Sequence, residues 1–414
     1  MEGMNLLFVL SLLCKAACVW FALVAVAGLV CRARQGFRPR YSPAAPRTRF
    51  AVLAAGRNEE AVISGFVRSI LAQDYPRELF DVYVLPNNCT DDTAGTARAA
   101  GAIVLDCPGA HSKGEALHSG LARLRNMDYD AFCVFDADNQ ADPAFLARMN
   151  DAFCAGARVA KGRIAAQNPR AGWVAGCYGL YFRLFDLFFN EPRGALGLSA
   201  KLVGTGFAVH KEVLDRLGGW NTVTIAEDAE FSAQCAELGY PVAWVPGAVT
   251  RDVEPVSFRV SLVQRRRWIG GILQAGQARG GRLARALVQR RRAVTLDSCL
   301  FFLTPLTGAV GTLLGAAGTA LALGRGQLPL WAPLAAAGLG WLGCALGALV
   351  LRLFLPREER PGLGSVLGFG LFMACWAPLG VLGVLCPPRR WVPVDHTAHL
   401  SVRRGRRLHG KRAA

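Results

Sequence analysis

The chain has 414 residues, of which 52% are hydrophobic, and it carries a formal net charge of +17. Its mean hydropathy of +0.28 excludes a purely soluble protein, and several uncharged runs reach the roughly 20 residues needed to cross a bilayer core. The 13 cysteines are scattered without a C-x-x-C pair, so the sequence predicts neither a disulfide framework nor a zinc site.

The first predicted element is an N-terminal transmembrane helix, assigned to residues 1–31. The sequence Ala25-Val26-Ala27 is compatible with a signal-peptide cleavage site. However, the acidic Glu2 rather than a basic residue stands at the leading end, and the apolar stretch is longer than that of a signal peptide. A retained helix is therefore the favoured interpretation.

Arginine residues cluster on one side of the apolar segments. Six arginines lie between residues 32 and 49, after the first apolar segment, and five lie between residues 282 and 292, before the next one. This distribution follows the positive-inside rule and predicts a multi-pass cell-membrane protein whose residues 32–296 are cytoplasmic and approach membrane lipids. No nucleic-acid-binding motif accompanies the charge, so nucleic acid is not an expected partner.

The region 48–255 is predicted to be a cytoplasmic α/β domain, because short β-rich runs alternate with helical stretches. The strand candidates are FAVLAA (50–55), FDVYVL (80–85), AIVLD (102–106), DAFCVFDAD (130–138) and PVAWV (241–245). This pattern predicts a mostly parallel sheet with helices on both faces, in which ligands bind beyond the carboxyl ends of the strands. The polar residues at those ends are Arg57-Asn58-Glu59, Asn87-Asn88, and Asp136 with Asp138.

Three groups of charged residues in this domain suit the binding of an anion or a metal. Asp136 and Asp138 close a strand two positions apart, where carboxylates can bind a divalent cation that neutralises a diphosphate. Lys113 begins a predicted helix, where an ammonium and free N–H groups suit an anion. Glu227 and Asp228 begin another, where a carboxylate could be the general base for a sugar hydroxyl. Taken singly, each also fits a plainer role as a loop cap, a solvated lysine or a helix-dipole complement.

The pentapeptide VQRRR occurs twice, at 263–267 and at 288–292. In the first copy, Gln264, Arg267 and Trp268 share one helical face, which combines an amide, a phosphate-binding guanidinium and a ring on which a sugar can stack. A basic amphipathic helix on the membrane surface is the alternative, and it explains the charge but not this face. The second copy has no aromatic residue and borders an apolar segment, so it is predicted to face anionic lipid.

The ordered motifs RNEE, NNCTDDT, KGEAL, DAD, GTGF, AED and QRRRW make the chain similar to the membrane-integrated family 2 glycosyltransferases. That group includes hyaluronan, chitin and cellulose synthases and, more distantly, ceramide glucosyltransferase. The similarity extends over residues 49–275. It implies a GT-A-like fold, a nucleotide-sugar donor that is expected to be a UDP-sugar, Mg²⁺ or Mn²⁺ as cofactor, and direct displacement with inversion.

The resemblance also implies roles for the donor-side residues. Glu59 and Asn88 would line the nucleotide pocket, and Lys113 would lie near the diphosphate. Asp136 and Asp138 would sit at the nucleotide and the metal. Many family members have an acidic residue where this chain has Asn87-Asn88, so a nucleotide contact at this position is in doubt.

On the acceptor side, the resemblance implies that Asp228 is the general base, with Glu227 beside it in the substrate site. Gln264, Arg267 and Trp268 would hold the acceptor and the leaving diphosphate. Ala226 replaces the threonine that usually precedes the acidic pair, which leaves both carboxylates in place.

Three functions are compatible with these motifs. The leading prediction is extension of a polysaccharide or oligosaccharide, and the alternative is non-processive transfer of one sugar to a lipid acceptor. The two differ in whether the spans form a channel for a growing chain, and the four predicted spans are few for that. A catalytically inactive scaffold is disfavoured because all the key carboxylates are present.

The C-terminal third is predicted to associate with the membrane. Interfacial amphipathic helices are assigned to 256–293, membrane segments to 297–388 and a basic tail to 389–414. A full crossing by Ser365–Cys386 would place the basic tail outside, against the positive-inside rule. The glycines and the proline of this segment suit a re-entrant element, so we predict that it does not cross and that the tail is cytoplasmic.

Overall fold

The computed structural model describes residues 2–36 and 39–388, with side chains at residue 14 and from residue 16 onward. The predicted basic tail, 389–414, lies outside the described residues. The described residues form one mixed sheet with helices on both faces, together with helices in the N- and C-terminal parts. The strands are β1 (Phe50–Gly56), β2 (Phe80–Pro86), β3 (Ile103–Val104), β4 (Ala131–Asp136), β5 (Gln140–Ala141), β6 (Val159–Ala166), β7 (Phe207–His210) and β8 (Val242–Asp252).

The strand order is β3-β2-β1-β4-β7-β6-β8-β5. Strands β7 and β5 are antiparallel to their neighbours, and the remaining pairs are parallel. The prediction of a mostly parallel α/β sheet is therefore confirmed. The carboxyl ends of β1, β2, β4, β6 and β8 share one edge of the sheet, which is where a ligand is expected.

Helices connect and cover these strands. They are α1 (Glu2–Arg34), α2 (Ile63–Leu71), α3 (Thr93–Ala99), α4 (Lys113–Leu124), α5 (Phe145–Cys154), α6 (Trp173–Phe185), α7 (Glu191–Ala195), α8 (Lys211–Leu217), α9 (Glu227–Leu238), α10 (Phe258–Arg290), α11 (Ala293–Phe302), α12 (Thr304–Gly324), α13 (Ala332–Phe354), α14 (Leu363–Ala374) and α15 (Trp376–Leu385). A π-helical turn, Asp186–Asn190, joins α6 to α7, and a short 3₁₀ turn, Arg77–Leu79, precedes β2. The region predicted as several interfacial helices, 256–293, is mostly the single helix α10.

Both faces of the sheet are buried. Along β1, Val52 and Ala54 belong to the core that α2, α3 and α5 cover, whereas Ala51 and Leu53 belong to the core beneath α4, α8 and α9. Successive strand residues point to opposite faces, so a strand covered on both sides is apolar throughout. This explains why the continuous apolar runs in β1, β2 and β4 could be identified from the sequence.

Strand β8 is longer than the predicted strand PVAWV, 241–245. Its register against β6 passes from Gly162↔Val245 to Arg163↔Val249, so residues 246–248 are accommodated in a bulge. The strand then continues to Asp252. The prediction that it ends at residue 245 is wrong, and the extension brings further acidic residues to the edge where β4 ends.

The N-terminal helix α1 docks on the rest of the chain through a buried ion pair. Arg193 donates two hydrogen bonds of 2.9 Å to the carboxylate of Asp297, and Trp20 Nε1 of α1 donates to the same carboxylate at 2.7 Å. Removing one member of such a buried pair costs about 3–5 kcal/mol, because the other charge is left without its partner. The contact fixes α1 against α7 and α11.

Within the described part of the chain, four stretches of helix are long and apolar enough to cross a membrane: Ala16–Arg34, Thr304–Gly324, Ala332–Phe354 and Leu363–Leu385. The fourth consists of α14 and α15, which are separated by Cys375. Its beginning packs on α6, where Cys177 Sγ lies 3.4 Å from the Ser365 carbonyl oxygen. Its end packs on α10, where Arg266 donates to the Cys386 carbonyl at 2.5 Å. Both ends therefore contact helices that follow or flank the sheet domain, and the prediction that Ser365–Cys386 does not cross fully stays a prediction.

We expect the tail to be cytoplasmic, because the segment before it returns to α10. A single cysteine at Gly405, in a cysteine-depleted background, should resist an impermeant thiol reagent on intact cells and react after permeabilisation. A cysteine at Gly326, in the turn between α12 and α13, is the matched control and should react on intact cells. Labelling at position 405 before permeabilisation would show that Ser365–Cys386 spans the membrane.

Candidate active site

Lys113 lies at the centre of a charged cluster beyond the carboxyl end of β4. Its ammonium donates to the carboxylate of Asp136 and to the carbonyl of Gly204, and it lies 3.5 Å from Glu227 Oε1. Burial opposes the charged form of Lys113, but Asp136 and Glu227 outweigh this effect, so the pKa of the ammonium is above its usual range. The lysine is therefore a fixed positive charge, as the prediction of a diphosphate contact requires.

Glu227 and Asp228 begin α9 and lie on either side of the Gly204 loop. Gly204 N donates to Asp228 Oδ2 at 2.6 Å, while its carbonyl accepts from Lys113. Burial raises the pKa of Glu227 to about 7, with Lys113 opposing the rise and Asp228 adding to it. One loop thus holds both the predicted general base and the predicted diphosphate lysine.

Buried Glu230 positions the residues that precede α9. Its Oε2 accepts hydrogen bonds from the backbone N–H groups of Val223 and Thr224, at 2.8 and 2.9 Å. A carboxylate at this place in the first helical turn can satisfy such donors. Sequence analysis did not single out Glu230, although its spacing of three residues from Glu227 is typical of a first-turn carboxylate.

Asn139, which directly follows the DAD motif, connects three parts of the site. Its amide nitrogen donates to Asp252 Oδ1 at 2.8 Å and lies 3.4 Å from Asp138 Oδ1. Its amide oxygen accepts from the Asp136 backbone and from the Thr205 hydroxyl. Asn139 therefore sets the distance between the DAD motif and the end of β8.

Asp252 and Glu254 bring two more carboxyl groups close to Asp138. Glu254 is 4% exposed, and its Oε1 has no hydrogen-bond partner among the described residues. Burial raises the pKa of both carboxyls well above the usual range, and Asp138 raises both further. Sequence analysis missed these two residues because the strand was predicted to end at residue 245. Asp136 was selected because it is a polar residue at the end of a strand. A strand predicted to reach residue 252 would have selected Asp252 and Glu254 in the same way.

The predicted nucleotide contacts lie after β1 and β2. Burial, Asp138 and Asp136 together raise the pKa of Glu59 to about 8, so its carboxyl belongs to the same electrostatic cluster as the DAD motif. The Asn88 amide instead donates to the Ala110 carbonyl at 2.7 Å. Buried Asn87 has an Oδ1 without a hydrogen-bond partner among the described residues. A buried amide oxygen without a partner in the described part of the chain therefore lies directly before the predicted Asn88.

Gln264 and Trp268 share one face of α10, as predicted. The Tyr178 hydroxyl donates to Gln264 Oε1 at 2.8 Å, and the Tyr178 and Trp268 rings meet edge to face with centroids 5.9 Å apart. Trp268 also stacks towards Trp376 at 6.4 Å. Val203, next to Gly204, packs in the same apolar cluster. This aromatic group therefore adjoins the loop that holds Asp228.

The three arginines of the first VQRRR have different surroundings. Arg265 is buried beneath α14, where it donates to the Phe372 carbonyl at 2.6 Å, and Arg266 binds the Cys386 carbonyl. Half-buried Arg267 has no hydrogen-bond or ion-pair partner among the residues that the structure describes. Gly271, one turn later on the same face, packs closely on Ala226. A Cβ atom placed on this glycine would lie only 2.5 Å from the Cβ of Ala226. Arg267 is thus the guanidinium available to an anion near Glu227 and Asp228.

Two arginines of the second VQRRR contact the C-terminal end of α9, and the prediction that this pentapeptide faces lipid stays a prediction. Arg290 donates to the Leu238 carbonyl at 2.7 Å, and Arg292 donates to the Gly239 carbonyl at 3.0 Å. Arginines at a helix C-terminus satisfy unpaired carbonyls and complement the helix dipole. Arg290 and Arg292 therefore stabilise the end of α9 opposite to Asp228.

The two pentapeptides provide an internal control. Arg267→Ala and Trp268→Ala should each remove sugar transfer, because they delete the unpaired guanidinium and the aromatic surface, while membrane insertion is unchanged. The triple alanine variant at Arg290, Arg291 and Arg292 should retain appreciable turnover and lose stability, about 1 kcal/mol per helix-end contact. Initial rates and thermal unfolding of the membrane-embedded protein measure both effects. Equal loss of turnover from the two clusters would contradict this division.

The geometry and the motifs are matched by a known family. The model of the family described as "Glycosyltransferase like family 2" matches residues 46–271, which is more than half of the chain. The chain belongs to this family. The resemblance to the family 2 glycosyltransferases that was inferred from the motifs is confirmed.

Curated members of similar sequence include a lipid glycosyltransferase. The probable glycosyltransferase YdaM of Bacillus subtilis (strain 168) is 29% identical over 273 residues, which are 61% of each protein. The beta-monoglucosyldiacylglycerol synthase of Synechocystis sp. is 27% identical over 384 residues, which cover 85% of this chain and 76% of that protein. The chain thus spans less than two thirds of YdaM and about three quarters of the synthase.

A solved mannosyltransferase structure has the same fold. The mannosyltransferase PcManGT of Pyrobaculum calidifontis, in complex with GDP-Man and Mn²⁺, superposes with a TM-score of 0.56 at 20% identity. The superposition covers 91% of this chain and 99% of that chain. This similarity confirms the predicted GT-A-like fold.

Proposed function

We propose that this glycosyltransferase transfers one sugar from a UDP-sugar to a hydroxyl group of a membrane lipid, with inversion at the anomeric carbon. The observation that carries the proposal is the Gly204 loop, which holds Asp228 by its N–H and Lys113 by its carbonyl. A base for the acceptor and a cation for the leaving diphosphate are thereby both fixed by the backbone of one residue.

The chemistry can be assigned to named groups. The acceptor hydroxyl loses its proton to the Asp228 carboxylate as its oxygen bonds to the anomeric carbon. The bond between that carbon and the diphosphate oxygen breaks on the opposite face, and UDP departs. Lys113 and Arg267 stabilise the negative charge that develops on the diphosphate. Trp268 offers the acceptor a flat apolar surface.

The acidic residues at the sheet edge fit a divalent cation of the kind that the family implies. Asp138 and Asp252 both approach the Asn139 amide, and burial together with the neighbouring carboxylates raises the pKa of Asp252 and Glu254. Among the described residues, no three His, Cys, Asp or Glu side chains form a ready metal site. Mg²⁺ typically takes one or two carboxylates together with substrate phosphates. Asp138 with Asp136 would therefore hold the cation, which when bound would neutralise the diphosphate.

A lipid acceptor is favoured over polysaccharide extension. The similarity to a glucosyldiacylglycerol synthase extends over 85% of this chain, and so beyond the region 46–271 that the family model matches. Four helical stretches, of which the last contacts α6 and α10 at both ends, are few for a channel around a polymer. A sugar acceptor remains the second candidate because Trp268, Tyr178 and Trp376 form an aromatic surface. In either case we propose a cell-membrane enzyme whose catalytic domain is cytoplasmic.

A panel of labelled UDP-sugars tests this proposal. The purified full chain, reconstituted in lipid and supplied with Mn²⁺, should transfer label from one donor to an extractable lipid that carries a single sugar. Linkage analysis of the product should show the inverted configuration. A ladder of increasing chain length would favour polysaccharide extension instead, and release of free sugar alone would contradict transfer to a lipid.

A further inference from the structure

Lys201 is a half-buried lysine whose ammonium has only aromatic neighbours. Its Nζ lies 5.0 Å from the Phe301 ring centroid and 5.4 Å from that of Phe185. Among the described residues, none forms a hydrogen bond or an ion pair with this ammonium. Burial lowers the pKa of Lys201 to about 8, against the opposing effect of the Asp228 carboxylate. A desolvated cation without a direct ion pair is costly, so a bound anion would be strongly favoured here.

The backbone around Lys201 is fixed by an irregular helical turn. The π-helical turn Asp186–Asn190 presents Asn190, whose Oδ1 accepts a 3.0 Å hydrogen bond from the Lys201 backbone N–H. The Asn190 amide in turn donates to Asp186 at 2.9 Å. Such π-helical turns are rare and occur frequently at functional sites. The turn therefore holds the lysine between the two rings.

This lysine lies between the general base and the candidate spans. It precedes Gly204, which binds Asp228, by three residues. Phe301 is near the end of α11, and the candidate span α12 begins at Thr304. The neighbouring Phe189 ring also contacts Phe21 of α1, with centroids 6.4 Å apart. A lipid headgroup that reaches Asp228 from α1 and α12 would therefore meet the Lys201 ammonium.

We propose that Lys201 binds the phosphate of an anionic glycerophospholipid, whose headgroup hydroxyl is the acceptor. This inference rests on the proposed transfer to a membrane lipid and specifies the acceptor class. The hydroxyl proton passes to Asp228, the headgroup oxygen bonds to the anomeric carbon, and UDP leaves with the electrons of the broken bond. The lipid phosphate takes no part in bond formation and pairs with the ammonium. A neutral diacylglycerol would leave Lys201 without a counter-ion.

The test separates binding from transfer. Short-chain phosphatidylglycerol and short-chain diacylglycerol are titrated onto the detergent-solubilised full chain in the presence of UDP and Mn²⁺. Wild type should bind phosphatidylglycerol more tightly. Lys201→Met should weaken this binding about tenfold or more, the scale of losing one partner of a buried charge pair. Lys201→Arg should restore most of the affinity, and the affinity for UDP should be the same in all three proteins.

Lys211→Met is the matched control, because Lys211 begins α8 at the opposite edge of the sheet, where its N–H binds the Asp130 carbonyl. It should bind phosphatidylglycerol like wild type. Unchanged binding in Lys201→Met, or equal affinity of wild type for the two lipids, would overturn the inference. Transfer to both lipids at equal rates would also overturn it while leaving the proposed function intact. Lys201-dependent binding without transfer to any lipid would support the anion site and refute the proposed transfer.

Discussion

Asp138→Asn is expected to reduce sugar transfer by about 10³-fold or more, the scale on which loss of electrostatic stabilisation acts at a reacting centre. Asp138 lies where β4 ends, and its carboxylate approaches the same Asn139 amide as Asp252. Asparagine keeps the shape and can still meet this amide, but it removes the charge that would hold the divalent cation. Initial rates with the labelled donor across a range of Mn²⁺ concentrations measure the loss.

Two controls separate this effect from misfolding. Asp128→Asn changes a carboxylate whose side chain is 93% exposed, near the opposite end of β4, and should leave the rate unchanged. Binding of UDP to wild type should strengthen when Mn²⁺ is added, whereas binding to Asp138→Asn should not respond. Full wild-type activity in excess chelator would show that the proposed metal role is wrong.

The strands nearest the site could be predicted because their residues are apolar on both faces. Val52 and Leu53 of β1 are both buried, one on each side of the sheet, so the whole run is hydrophobic. Polar residues can follow such a strand only where it leaves the core. This is why Glu59 and Asp136 could be selected as candidate residues at the ends of strands.

Strand β6 was missed because it contains buried charge. Lys161 lies in the middle of the strand and is 2% exposed. Burial lowers its pKa to about 8, while Asp252 and Asp186 favour its charged form. A lysine interrupts the apolar run on which the prediction depended. Its compensating carboxylates come from β8 and from the π-helical turn, which are distant in sequence, so the pattern of β6 alone could not reveal them.

The two VQRRR copies show the same limit for helices. Helical spacing was sufficient to predict that Gln264 and Trp268 share a face, because both lie on one element. The partners of Arg290 and Arg292 are carbonyls 52 and 53 residues earlier in the chain. Only the packing of α10 on α9 creates that contact, so local periodicity could not distinguish a helix-end contact from a lipid-facing flank.

Asp228→Asn is expected to lower turnover by about 10²-fold or more, the scale of a lost general base, while binding of UDP is nearly unchanged. Gly204 N donates to Asp228 Oδ2 at 2.6 Å, and an asparagine oxygen can accept the same hydrogen bond. The variant therefore keeps the geometry but cannot take a proton from the acceptor hydroxyl. Single-turnover rates and equilibrium titration with UDP measure the two quantities separately.

Glu227→Gln is the matched variant, because Glu227 is next to Asp228 in the chain but interacts with the donor side of the site. Glu227 Oε1 lies 3.5 Å from the Lys113 ammonium, which also binds Asp136. Removing its charge should alter the affinity for UDP more than Asp228→Asn does, since it changes the field at the diphosphate lysine. If UDP affinity fell in step with turnover in Asp228→Asn, that residue would be a donor ligand or a structural group. A loss of turnover with unchanged UDP affinity in Asp228→Asn, together with a changed UDP affinity in Glu227→Gln, would assign the acceptor side to Asp228 and the donor side to Glu227.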